Sequence, residues 1–149
     1  MLEANTIAPD FELLDAKGMP QTLSQFLGHW VVLYFYPKDE TPGCTAEACS
    51  FRDTHADFEK HDAKIIGINT DSQQSHKAFV TKHQLPFMLL SDPTKEVIKT
   101  YGAKGLFTKR ISYLINPEGK IAKSYDNVDP VIHAKQILQD LEGLSNERS

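Results

Sequence analysis

The sequence predicts an α/β fold in which a mixed central sheet is flanked by helices and preceded by a hairpin. Three observations carry this reading. Residues 30–36 and 64–70 are almost unbroken runs of apolar and β-branched side chains, the pattern of strands buried on both faces. Between and after these runs, apolar residues recur at three- and four-residue steps, the period of a helix with one buried stripe. Near the C-terminus, Asn116-Pro117-Glu118-Gly119 is a tight turn that leads from the strand 111–115 into residues 120–125 and makes the two antiparallel neighbours. Strands joined through helices and then a closing hairpin give a sheet that is partly parallel and partly antiparallel.

Length and composition fit one domain spanning residues 1–149. The chain is 40% hydrophobic and 24% charged, ordinary values for a soluble globular protein. Sixteen Lys and Arg against 20 Asp and Glu leave a net charge of −4, without the excess of base that a nucleic-acid partner requires. No apolar run approaches the roughly 20 residues of a membrane span. The first residues, Met1-Leu2-Glu3-Ala4-Asn5, lack the basic start and apolar core of a secretory signal, so the cytoplasm is the expected compartment. In a reducing cytosol, two cysteines close in sequence are more often catalytic or metal-binding than structural.

In chain order, residues 9–14 alternate briefly, and Asp15-Ala16-Lys17-Gly18 offers a turn into Pro20-Gln21-Thr22-Leu23, an N-terminal hairpin. Ser24 can cap a short helical turn through Leu27 that Gly28 closes. The first core strand, 30–36, ends where Pro37 cannot continue a central ladder. A helix from about 42 to 59 buries Ala48, Phe51 and Phe58, with His55 on the flank of that stripe. After the strand at 64–70, Asp71 or Ser72 caps a helix that turns Phe79 and Val80 inward and ends before Pro86. A short strand at 87–90 leads to Asp92-Pro93, a capping carboxylate before a first-turn proline, and to a helix that stops at Gly102. A loop at 102–109 precedes the hairpin strands 111–115 and 120–125. The last helix carries Ala134, Ile137, Leu138 and Leu141 on one face and ends near Gly143, before a frayed tail.

The chemistry concentrates in residues 34–53. Thr41-Pro42 reads as a helix entrance, which puts Cys44 in the first turn of a helix, just past the end of a central strand. A helix N-terminus presents unpaired N–H groups and the positive end of the macrodipole, both of which favour thiolate over thiol. The backbone N–H groups of Gly43 and Cys44 are donors of this kind. On their own, Arg110 reads as an exposed charge and Glu47 as a first-turn carboxylate that suits the helix dipole.

Pro37-x-x-x-Thr41-x-x-Cys44 resembles the active-site signature of the peroxiredoxins. The longer string from Tyr36-Pro37-Lys38-Asp39 to Arg52-Asp53, with a second cysteine five positions after the first, is similar to their bacterioferritin comigratory protein, or Q-type, branch. The likeness extends over nearly the whole chain in the order of its strands and helices. It implies a thioredoxin-like fold with an N-terminal extension. It also implies a peroxidase for hydrogen peroxide and alkyl hydroperoxides, recycled by thioredoxin or a similar dithiol, without flavin or metal, and monomeric. By the same resemblance Cys44 is the peroxidatic cysteine and Cys49 the resolving one, which closes a disulfide on oxidised Cys44. Pro37 then shields the sulfur, Thr41 turns its hydroxyl toward the pocket, Arg110 supplies the active-site cation, and Glu47 is an acidic residue near the sulfur.

Two other readings compete. A metal-binding module would use Cys44, Cys49 and a histidine, but it leaves Pro37 and Thr41 without a role. A thiol–disulfide oxidoreductase would carry Cys-x-x-Cys, two residues tighter than the spacing here.

Overall fold

The computed structural model describes residues 1–126 and 128–148. Its elements run β1 (Glu12–Asp15), β2 (Pro20–Thr22), a 3₁₀ turn (Ser24–Phe26), β3 (Trp30–Phe35), α1 (Pro42–Lys60), β4 (Ala63–Asn69) and α2 (Gln73–His83). They continue with β5 (Met88–Ser91), α3 (Glu96–Thr100), β6 (Ile111–Ile115), β7 (Ile121–Tyr125) and α4 (His133–Arg148). Among the described residues, seven strands form one sheet in the order β2-β1-β5-β4-β3-β6-β7. The pairs β3–β4 and β4–β5 are parallel, and β3–β6, β6–β7, β1–β2 and β1–β5 are antiparallel. The expected mixed sheet is therefore present, and the N-terminal hairpin extends its edge.

The central strand divides the core. All six residues of β3 are buried, and their alternation sends successive side chains to opposite faces. Trp30, Val32 and Tyr34 pack with Phe51 and Phe58 of α1, Phe79 of α2 and Ile137 and Leu141 of α4. Val31, Leu33 and Phe35 pack with Phe11, Ile98 and Tyr101 on the other face. A strand serving two cores tolerates no polar side chain, which is why its sequence shows no alternation.

Several boundaries differ from the sequence reading. The 3₁₀ turn is not capped by the Ser24 hydroxyl; the N–H of Ser24 donates to Oδ1 of Asp10 at 2.9 Å. Asp92-Pro93 lies in a turn before α3, because Lys95 takes a left-handed conformation (φ 65°) and delays the helix to Glu96. Asp92 still serves the helix start from a distance, accepting the N–H of Ile98 at 2.8 Å. α4 continues through Gly143 to Arg148, where a frayed tail was expected; Leu144 packs against the core and outweighs the modest helix penalty of an exposed glycine, about 1 kcal/mol.

The link between β3 and α1 is fixed by Asp39. Its side chain is buried and accepts hydrogen bonds from Tyr36 Oη (2.7 Å), Ser75 Oγ (2.8 Å) and Asn69 Nδ2 (3.3 Å). The ring Nδ1 of His76, itself fully buried, lies 2.7 Å from the same carboxylate, and its Nε2 lies 3.2 Å from the carbonyl of Leu90. Both nitrogens of His76 thus face acceptors, an arrangement suited to a ring that donates from both. The N–H of Asp39 donates to Asp71 at 2.7 Å, so backbone and side chain of one residue tie the loop to β4 and α2. Burial acts to raise the Asp39 carboxyl, but the hydrogen bond and charge of His76, with Tyr36 and Ser75, bring it net below its ordinary 3.8.

Asp39→Asn should therefore destabilise the fold by roughly 2–4 kcal/mol near neutral pH, because buried donors lose a charged acceptor. The folded value is depressed, so this stability is present above the ordinary carboxylate range and is lost as pH falls through the folded value. Urea unfolding of both chains across acid pH should show the gap between them closing.

Candidate active site

Cys44 is the third residue of α1, and its side chain is almost fully buried. Helix geometry leaves the N–H groups of Gly43 and Cys44 without intrahelical partners, since Pro42 opens the helix and Thr41 is the N-cap. Arg110 reaches this turn from across the sheet. It immediately precedes β6, and the register Phe35↔Ile111 brings it beside the end of β3 where α1 begins. Its Nη2 donates to the Cys44 sulfur at 3.4 Å, and its Nη1 donates to Oε1 of Glu47 at 2.7 Å. A rigid guanidinium fork can hold two acceptors at once, as a lysine could not. Gly43 makes room for it, because a Cβ there would stand 3.1 Å from Nη2 of Arg110.

Neither charge fits its bland reading. The Arg110 side chain is 19% exposed rather than a surface charge, and Glu47 is fully buried. Glu47 is in the second turn of α1, not the first, and it faces the arginine three residues past Cys44 on the same side of the helix. Burial pushes its carboxyl up to about 7, against the lowering pull of the charge and hydrogen bond of Arg110. Its second oxygen, Oε2, is buried without a hydrogen bond. Burial works to lower the Arg110 guanidinium, but Glu47 and the Cys44 sulfur leave it net above its ordinary value.

Cys44, Arg110, Glu47 and Gly43 thus converge. The other expected residues stand differently. The Thr41 hydroxyl donates to the carbonyl of Lys38 at 3.0 Å and makes no side-chain cap. Pro37 borders a cleft with Thr70, Ile98, Phe107 and Thr108. Cys49 is half-buried further along α1, and both cysteines are free thiols. Five residues of regular helix separate them by about 500° of rotation and roughly 8–9 Å between Cα atoms. A disulfide requires less than about 7 Å.

Sequence reasoning missed His76 and His83. His76, Phe79 and His83 follow at three- and four-residue steps on α2, so the apolar stripe that marks Phe79 also marks two histidines on the same face. His76 is the buried partner of Asp39, and His83 lies 4.0 Å from the sulfur of Cys49.

Comparison with known proteins places this geometry in context. Residues 4–124 match the AhpC/TSA family. The chain is 41% identical to peroxiredoxin Bcp of Bacillus subtilis, over 98% of this chain and 99% of that protein. It is 44% identical to the chloroplastic peroxiredoxin Q of Sedum lineare, over 91% of this chain and 76% of that protein. Among solved structures, a bacterioferritin comigratory protein of Xanthomonas campestris, studied for alkyl peroxide reduction, superposes with a TM-score of 0.90 at 32% identity. That match covers 96% of this chain and 99% of that one. No described helix is long and apolar enough to cross a membrane.

The Glu47 carboxyl has a measurable consequence. Its folded value, about 7, is raised above the ordinary 4.5, so the stability it contributes is complete below 4.5 and is lost as pH rises to about 7. Glu47→Gln should remove this slope, so that the wild-type chain loses about 3 kcal/mol relative to the variant across that interval. Denaturant unfolding of both chains at a series of pH values measures it.

Proposed function

The chain belongs to the AhpC/TSA family, among its Bcp and Q-type peroxiredoxins, and is therefore a thiol peroxidase; we propose that Cys44 is its peroxidatic residue and Cys49 its resolving one. One observation carries the first assignment: the buried sulfur of Cys44, at a helix start, accepts a hydrogen bond from a guanidinium whose other arm is held by a buried carboxylate.

In this reading the sulfur of Cys44 attacks one peroxide oxygen in line with the O–O bond. The S–O bond forms as O–O breaks, and negative charge collects on the departing oxygen. Arg110 and the free N–H groups of Gly43 and Cys44 are aimed at the region where that charge develops, which lowers the barrier more than equal binding of the intact peroxide would. Glu47 orients the arginine. Thr41 can offer its hydroxyl lone pairs to the hydroperoxide while it donates to Lys38, and Pro37 limits water at the loop. The product is a sulfenic acid on Cys44. The thiol of Cys49 then displaces the hydroxyl as water and closes a disulfide, which an external dithiol of the thioredoxin type reduces. Hydrogen peroxide and alkyl hydroperoxides are the proposed substrates. We place the chain in the cytoplasm as a monomer, where a proximal cysteine pair suits catalysis in a reducing compartment.

The test couples NADPH oxidation to hydrogen peroxide through thioredoxin and thioredoxin reductase. Cys44→Ser should abolish turnover. Cys49→Ser should consume about one equivalent of peroxide and stall with one added oxygen by intact mass. An added oxygen on the Cys44 variant alone would reverse the roles.

The separation of the two cysteines in α1 sets a second expectation. Disulfide formation should unwind the first turns of the helix, so amide exchange over residues 43–48 should be faster in the oxidised chain than in the reduced one. Equal protection in both states, with the disulfide confirmed by mass, would refute this.

A further inference from the structure

A second cluster of reactive side chains stands around Cys49, outside the Cys44 site. The Cys49 sulfur lies 4.0 Å from Nδ1 of His83, the last residue of α2, at the outer limit of a hydrogen bond to sulfur. The other ring nitrogen, Nε2, is buried, makes no hydrogen bond, and stands 3.6 Å from Oε2 of Glu40. A buried polar atom left without a partner is uncommon and calls for an explanation. The ring is nonetheless held firmly. It packs edge-on against Phe79 with centroids 5.1 Å apart, and the carbonyl of His83 accepts from Nη1 of Arg52 at 2.9 Å. Glu40 holds its place beside the ring in the left-handed region (φ 66°), a conformation rare for a residue with a Cβ. Such departures persist where the surroundings impose them, and they cluster at functional sites.

We propose that His83 is the general base of the resolving step, with Glu40 positioning its ring. The proposal rests on the reading of Cys49 as the resolving cysteine. In this role the thiol donates to Nδ1, which assigns the ring proton to Nε2, on the side of the Glu40 carboxylate. His83 takes the proton of the Cys49 thiol as that sulfur attacks the sulfenic sulfur of Cys44. The S–S bond forms, the S–O bond breaks, and the departing hydroxide recovers a proton from the imidazolium, leaving a disulfide, water and a neutral histidine. No further oxidant or reductant enters.

The charges around the ring are consistent with this role. Glu40 favours the imidazolium that forms. Lys82, whose Nζ lies 3.1 Å from the same Glu40 oxygen, tempers that effect. Arg52, paired with Asp53 at 3.0 Å, also donates to the carbonyl of His83 at 2.9 Å, which places a cation in the same cluster. Contacts between a base and its thiol are often long in the resting enzyme and close during the reaction. His83 is on a different helix from both cysteines, so it can hold the Cys49 proton while the turn bearing Cys44 unwinds.

The decisive experiment follows both chemical steps in the full chain after one equivalent of hydrogen peroxide, with alkylation quenching and intact mass separating thiol, sulfenic acid and disulfide. His83→Gln should slow disulfide formation by roughly 10²-fold, so that sulfenic acid accumulates, and the rise of this rate with pH should move to more alkaline values. In His83→Ala, added imidazole should restore part of the rate, which a merely packing histidine would not allow. Glu40→Gln should give a smaller slowing of the same step. Disulfide formation at the wild-type rate and with the wild-type pH profile in His83→Gln would overturn the role of His83 while leaving Cys49 as the resolving residue. Absence of a Cys44–Cys49 disulfide in the unaltered chain would instead remove the reading on which the proposal rests.

Discussion

The site depends on one buried contact, the 2.7 Å approach of the Asp39 carboxylate to His76. The chain must leave a strand buried on both faces and enter a helix within a few residues, and a loop so short would carry unpaired polar groups into the interior. Asp39 resolves this by gathering the tyrosine that ends the strand run, the asparagine that ends β4, and the serine and histidine of α2 around one carboxylate. The desolvation of a buried carboxylate is costly, and it is offset here because each oxygen faces two partners. With the loop fixed, the start of α1 and hence the position of Cys44 follow.

A second constraint sets what faces the sulfur. The antiparallel pairing of β6 with β3 brings Arg110 to the strand end at which α1 begins, so a residue 66 positions away in sequence meets Cys44 at 3.4 Å. The cation is held by Glu47, whose burial leaves it close to the point of neutralisation. Its hydrogen bond to Nη1 fixes the plane of the guanidinium and leaves Nη2 directed at the sulfur. Gly43 completes the arrangement by omitting a side chain where the guanidinium passes.

Much of this was legible in the sequence, and the limits have physical causes. The buried strands, the closing hairpin and the helix carrying Cys44 were clear because periodicity and Pro or Gly punctuation report local structure directly. The match of Pro37, Thr41 and Cys44 to a known signature pointed to the sulfur, and placed Arg110 at the site when composition alone left it on the surface. The pairing of Glu47 with Arg110 was not legible, since a carboxylate near a helix start has a sufficient local explanation in the dipole. The Asp39 network was hidden for a related reason: its members come from three separate elements, and only the fold brings them together. His76 and His83 were visible as members of the α2 stripe, but a histidine on an apolar face gives no sign of its partner. The end of α4 was misread because Gly143 sits on an exposed face, where a glycine weakens a helix without stopping it.

The proposed mechanism makes two incompatible demands on α1, and its geometry bears on both. Its first turn is weakly built: Pro42 contributes no N–H, Thr41 provides no side-chain cap, and Gly43 has a poor helix propensity. Its middle is anchored, because Phe51 is fully buried and Arg52 reaches across to the carbonyl of His83 at the end of α2. The stability of the helix is therefore graded along its length, low around Cys44 and higher from Cys49 onward. A turn held by a contact to an arginine, rather than by its own caps, can release when oxidation of the sulfur it carries changes the group that faces that arginine. In the proposed mechanism, the contact that prepares Cys44 for peroxide is also the one whose loss frees it to meet Cys49, and the weak caps of the first turn allow that release to follow.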